Sequence, residues 1–436
     1  MRPTLASLSR AAALGTVLLA AGAAPAVEDY ELAPISYWDK TPADALAQLK
    51  GDLESGAFEH DPADEKSFLR NLLKTCGVPE SSQVLVFSKT SFQNSLISPR
   101  SPRALYFNDD LYIGWVPGGD AEVIAMDPEL GAVFYHLKRH KGERPTELLR
   151  SQQCMDCHQG SRVGSAPGPL VRSVYPDSRG FPILSAGSFV TAHDSPLSER
   201  WGGWYVTGTH GSMRHMGNAL AEQIPQGADI DIEAGANCAD LTSHFDTAKY
   251  LQPTSDIVAL MVMEHQIGAH NLFNQGSYAV RSAIFRRKAL DKELGEPDSD
   301  GMSDLTKRII DRHAEKIVRH LLFAGEFRLT DKVESSSPAF LEAFAAQGPR
   351  DPEGRSLRDF QLITRLFEYR CSYMIYSKSF DAIPAPLKDA VFHKLHAVLA
   401  GQDQSDDFAQ ISMKERRYIL EILAATKPGL FRAPLR

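Results

Sequence analysis

The 436-residue chain lacks most of the short signatures that mark an enzyme class. It has no G-x-S-x-G elbow, P-loop, H-E-x-x-H pair or dinucleotide fingerprint, so common hydrolase, nucleotide, zinc-protease and nicotinamide chemistries have no local signal. It has no internal repeat and no low-complexity tract. Positive charge is in the minority: 47 Lys and Arg against 55 Asp and Glu leave a net charge of -8. That balance argues against nucleic acid or an anionic membrane as partner. Cysteine is scarce, with five residues in all, and only one pair is spaced C-x-x-C. A structural zinc site takes about four ligands, usually from two such pairs. Beyond the N-terminus, no run approaches the about 20 apolar residues a spanning helix needs.

What is present is Cys154-Met155-Asp156-Cys157-His158. It has the form C-x-x-C-H, the attachment signature of c-type haem. Two thiols one helical turn apart can each add to one vinyl group, and the next residue carries an imidazole that can reach the iron. Over these five residues the chain resembles c-type cytochromes. The resemblance implies one covalent haem c, with Cys154 and Cys157 as thioether links and His158 as proximal iron ligand. A zinc site, a thiol-redox pair and a plain disulfide are the competing readings. The redox pair calls for a βαβ context that the pattern does not show.

The N-terminus agrees with the haem reading. Arg2 and Arg10 precede the apolar run Ala11 to Ala24, and Ala24-Pro25-Ala26 is a small-x-small cleavage site. Together these read as a secretory signal peptide over residues 1–26, and the expected protein is exported, periplasmic and without an integral membrane segment after cleavage. In bacteria haem is attached to C-x-x-C-H after export. Among Cys76, Cys238 and Cys371, an oxidising compartment allows at most one intramolecular bridge.

The pattern divides the rest into residues 27–144, N-terminal helices and a β meander; 145–294, the haem-binding region; and 295–436, a helical region. Asp64 to Thr75 reads as a helix, with Phe68, Leu72 and Leu73 on one face, stopped by Gly77-Val78-Pro79. From Gln83 the period changes to two, and turn signals at Asn108-Asp109-Asp110 and Asp127 to Gly131 predict a meander of four or five strands. Arg144 to Leu149 suits a helix start and places Cys154 and Cys157 near that helix's C-terminal end. Helices are expected from the Thr254-Ser255-Asp256 cap to about Leu294 with breaks at Gly268 and Gly276, along Leu305 to Leu321, along Phe360 to Met374, and over residues 385–400 and 412–425. The expected fold is α+β and predominantly α-helical, with a small antiparallel meander before a haem-binding helix and a C-terminal set of helices.

Function turns on the residue across the ring from His158. Two strong axial ligands suit electron transfer, whereas an open distal side suits ligand binding or chemistry. Two clusters supply candidate distal ligands: His210 and His215 on a Gly-flanked loop, and His265 and His270 within a helix. Met261 and Met263 read as core, and His313 and His320 as core or solvated histidines. Arg172 and Arg200 are candidate partners for haem propionates, since guanidinium pairs well with carboxylate.

A wider resemblance rests on Leu170 to Pro176, Ser198 to Gly211 and Arg214 to Asn218. Over roughly residues 100–285 these runs are similar to a group of long exported bacterial proteins with a cytochrome c domain. The resemblance supports the haem and says nothing about a substrate. The reading is therefore a single-haem c-type protein whose partner is a redox protein or a small molecule. It is expected to transfer electrons. The alternatives are a peroxidase- or oxidase-like haem enzyme in which Arg214 and a nearby histidine handle protons, and a haem-based sensor or binding module.

Overall fold

The computed structural model describes residues 29–58, 61, 64–139, 146–160, 163–164, 166–297 and 300–430. The expected signal peptide lies outside the described residues. Among these, no helix is long and apolar enough to cross a membrane.

The centre of the molecule is a seven-stranded antiparallel sheet. Its strands are β1 (Val84–Val86), β2 (Arg103–Phe107), β3 (Leu111–Trp115), β4 (Ala121–Asp127), β5 (Gly131–Lys138) and β6 (Glu147–Arg150). The short strand Trp204–Tyr205 pairs with β1 and completes the far edge. The chain is 37% helical and 16% strand, so it is not predominantly helical with a small meander. Two segments enlarge the sheet. Of the expected helix start at Arg144 to Leu149, Arg144 and Pro145 lie outside the described residues, and Glu147–Arg150 pairs with Lys138 to Tyr135 of β5. Trp204–Tyr205 extends the other edge from about 120 residues away in sequence, a separation that local patterning does not reach.

The helices are α1 (Ala47–Ser55), α2 (Glu65–Thr75), α3 (Met155–His158), α4 (Ile257–Glu293), α5 (Asp304–Leu321), α6 (Pro338–Ala346), α7 (Lys378–Asp381), α8 (Ala385–Leu399) and α9 (Met413–Thr426). Caps set several starts. Asp64 accepts from Lys66 N and Ser67 N, and Asp256 from Val258 N and Ala259 N. Helix α4 runs unbroken for 37 residues through Gly268 and Gly276. At Gly268 a Cβ would lie 2.6 Å from His320 Cε1, so glycine lets α5 pack close. The expected helix from Phe360 to Met374 is instead turns, with a Phe360–Phe367 bridge and a 3-10 turn at Tyr373–Tyr376. Arg172–Val174 pairs with Ser188–Val190 in a separate two-stranded sheet.

Residues opposed across an antiparallel ladder share a face. Val86, Arg103, Gly114, Glu122 and Phe134 therefore lie on one side of the sheet with Leu105, Tyr112 and Ile124. Helix α4 crosses this side. Its Gln266 donates to Asn108 O at 2.7 Å and to Tyr112 Oη at 3.0 Å, and Tyr278 donates to Leu130 O. The opposite side meets the N-terminal segment, where Tyr135 donates to Asp44 and Lys50 lies over the Tyr135 ring.

Candidate functional site: a cavity between the sheet, helix α4 and the C-x-x-C-H turn

Strand β6 delivers the chain to the rim of the sheet, and Cys154 to His158 then form a single helical turn. Cys157 N and His158 N both bond Cys154 O, at 3.2 and 3.0 Å. Gly160, at φ 82°, ends the turn in the left-handed region that glycine adopts freely. The Cys154 and Cys157 thiols are both free, as are Cys76, Cys238 and Cys371. Burial raises the Cys154 pKa, so this sulfur stays protonated near neutrality.

The His158 ring lies 4.7 Å from that of Phe134. Its Nδ1 is 2.9 Å from Gly168 O, so Nδ1 carries the proton and Nε2 keeps its lone pair. Burial lowers the His158 pKa, which keeps the ring neutral and available as a ligand. Such an outer carbonyl is the usual orienter of a metal-bound imidazole. The loop bearing Gly168 is itself held by α4. Asn271 donates to Pro169 O at 2.8 Å, and Gln275 donates to Val163 O at 2.9 Å. A Cβ on Gly168 would collide with Asn271 Oδ1.

Cys154, Cys157 and His158 line a cavity of about 1020 Å³, counting its open mouth. Its floor is the sheet face carrying Leu105, Gly114 and Ile124, and its far wall is Met263 and Ile267 of α4. Leu105 and Ile124 stand in the middle of the sheet yet remain only partly buried. Apolar side chains in that position suit a large apolar ring laid against them.

One charged pair sits in this wall. Arg103 Nη1 is 3.0 Å from Glu122 Oε2, and Glu122 Oε1 also accepts from Ser91 and Gln93. Gly114 makes room, because a Cβ there would lie 2.6 Å from Arg103 Nε. That Nε is buried without a hydrogen-bond partner. A haem carboxylate would satisfy it, so the donor set as well as the apolar floor fits the group.

The structure sorts the other sequence candidates. Arg172 lines the cavity. Arg200 does not: it is buried, with Nη1 3.0 Å from Glu264 and Nη2 2.8 Å from His193 O. His210 and His215 pack against each other, with ring centroids 4.7 Å apart. Both His210 nitrogens are engaged, with Met213 O and Asn237 N, and His215 Nδ1 accepts from Gly217 N. His270 Nδ1 is 2.9 Å from the Tyr112 hydroxyl, so it stands behind a lining residue. His265 meets His193 and His320. None of these four histidines is a lining residue of the cavity. Met263 is, and helical spacing alone reads it as core. The signal that could have found it is its four-residue step to Ile267, which places both on the α4 stripe facing the sheet. Arg103 and Glu122 were also missed, since their alternation matches any half-exposed strand.

No family model, curated protein or solved structure matches the chain.

Proposed function

We propose that this protein is an exported, single-haem c-type cytochrome that transfers electrons. In this reading Cys154 and Cys157 carry the thioether links: each S–H adds across one vinyl group, sulfur to one carbon and hydrogen to the other. His158 binds iron through Nε2. Bound haem supplies one-electron chemistry at its iron. The protein holds the His158 proton on Nδ1 through Gly168, and Leu105 and Ile124 would give the bound group an apolar surface while Arg103 and Arg172 would be available to its carboxylates. The observation that carries the reading is the placement of the C-x-x-C-H turn. It borders an open, largely apolar cavity between the sheet and α4, with its histidine already in the ligating tautomer.

Met263 favours electron transfer within this reading. Among the described residues, it is the one thioether on the cavity wall, and no imidazole besides His158 lines it. The Arg103–Glu122 pair supports the second reading, a haem enzyme or sensor, because fixed charges beside an open iron can handle protons and developing charge.

The test is expression in a host that exports and attaches haem, followed by intact-mass measurement and spectroscopy. A mass increased by one haem, lost in Cys154→Ala/Cys157→Ala, supports the cytochrome. Wild-type protein without covalent haem overturns it. A low-spin iron that ignores carbon monoxide, turning high-spin and reactive in Met263→Ala, supports electron transfer. A high-spin wild type that binds carbon monoxide or cyanide supports the enzyme or sensor.

A further inference from the structure

Behind α4 lies a second cluster of ligating groups that the haem reading does not use. His193, His265 and His320 each offer one ring nitrogen, and these atoms lie within 4.8 Å of one another. His193 and His265 are fully enclosed and His320 is partly so. Successive helix residues are about 100° apart, so His265 points away from the cavity faced by Met263. The two sites thus flank one helix, separated by about its 10–12 Å width.

The outer hydrogen bonds orient the rings. His265 Nε2 is 2.6 Å from Ser372 Oγ, and His320 Nε2 is 2.9 Å from His265 O. The Ala324 backbone bonds the His193 ring. The inner Nδ1 atoms of His193 and His265 face each other at 2.9 Å. With Nε2 of His320 donating to a carbonyl, its Nδ1 also keeps a lone pair. Three imidazoles are thus held from outside by oxygen partners, as metal-binding histidines are, and a single Nδ1 proton, on His265, bridges the inner nitrogens of His193 and His265. Burying three such rings without a ligand is costly, since all three lose solvation and must stay neutral. Exposed Asp194, which acts on His320, supplies negative charge, while the buried Glu264–Arg200 pair beside the cluster balances itself and sets Arg200 near His193. His320 is the part-exposed member of the cluster, on the side of Asp194.

We propose that His193, His265 and His320 form a three-histidine site for a divalent first-row transition ion of the zinc–copper end of the series. Imidazole nitrogens suit these ions, and a three-histidine set leaves a fourth position for water. On binding, His265 moves its proton from Nδ1 to Nε2 and donates to Ser372, so no proton need be lost. The His193–His265 nitrogens part from 2.9 Å to the about 3.3–3.4 Å that tetrahedral metal–nitrogen bonds of about 2.0–2.1 Å require. His320 tilts out of its present stack, in which it lies parallel to His265 within 4°.

The test uses untagged, full-length, haem-loaded protein, first stripped with chelator. Zn²⁺ titration should show one ion per chain and a raised melting temperature, and Co²⁺ should give the intense visible bands of a tetrahedral site. His193→Gln and His320→Gln should each weaken Zn²⁺ at least tenfold, while His244→Gln leaves it unchanged. Binding should persist in Cys154→Ala/Cys157→Ala, which separates this site from the haem motif. A folded wild type that takes up neither ion overturns the proposal. So does Zn²⁺ affinity that is unaltered in the histidine variants or is lost with the cysteines. If a histidine variant fails to fold, the wild-type Co²⁺ spectrum still decides.

Discussion

At the scale of single residues, the site depends on side chains that touch no cofactor. Gly168 supplies the carbonyl that holds the His158 proton, and it lies against Asn271. Gly168→Ala displaces either the loop or the Asn271 amide that donates to Pro169 O, and overpacking of this kind costs about 1–3 kcal/mol. The expected result is a urea midpoint lowered accordingly, together with a shifted haem spectrum as the His158 ring loses its fixed orientation. An unchanged midpoint and spectrum would show that the carbonyl is not an orienter. Histidine burial gives a second prediction. Burial pushes His215 and His270 down to about 3. Each folded ring is neutral while its unfolded counterpart takes up a proton near pH 6.5. Their contribution to stability is therefore complete above pH 6.5 and is lost as pH falls from 6.5 toward 3. Each lost proton difference amounts to at most about 1.4 kcal/mol per pH unit. Urea midpoints should coincide at pH 8 and 7 and fall between 6.5 and 4.5, with a shallower fall in His270→Gln. A flat profile would contradict the burial argument.

At the scale of elements, α4 organises the molecule. One stripe, Met263, Gln266, Ile267 and His270, meets the sheet and the cavity, while His265 and Gly268 meet α5. The helix is fixed at its start by Asp256. Its Oδ1 caps Val258 N and Ala259 N, and its Oδ2 accepts from Ser335 Oγ, Ser336 N and Ser337 N. Losing an N-cap costs about 0.5–2 kcal/mol, and leaving buried donors unpaired costs about 1–3 kcal/mol more. Asp256→Ala should accordingly lower unfolding free energy by about 2–4 kcal/mol, measured by urea titration, with Asp256→Asn milder because it keeps an acceptor. A loss within 0.5 kcal/mol would mean that the strap at Ser335–Ser337 finds other partners.

At the scale of the whole molecule, one apolar core runs from Tyr30 to Leu430, and the cavity opens beside it. The sheet, the C-x-x-C-H turn and α4 meet there from three separate stretches of chain. A bound ring would bury the part-exposed faces of Leu105 and Ile124 and tie the loop at residues 163–170 to both. Haem-free Cys154→Ala/Cys157→Ala should melt several degrees below the haem-loaded protein, and limited proteolysis should cut near residues 160–170 faster. Equal melting and cleavage would show that the cavity contributes nothing to the fold.

The sequence by itself determined the features that depend on a few neighbouring residues. The C-x-x-C-H turn is one, because its two thiols and imidazole are contiguous residues that one short turn brings together. The start of α2 near Asp64, the cap of α4 within Thr254 to Asp256, the apolar faces of α2 and α5 and the approximate spans of α8 and α9 are others. Tertiary structure decided the rest. Glu147–Arg150 carries first-turn helix signals yet becomes a strand, because pairing with β5 outweighs a weak local preference. The spacing of Phe360 to Met374 is helical, but these residues form turns that pack Phe367 and Tyr373 against Phe344 of α6 and against each other. Met263 and the His193–His265–His320 cluster depend on which α4 face meets which element. That is settled by contacts between residues about 50 to more than 100 positions apart, a range over which no local pattern carries information.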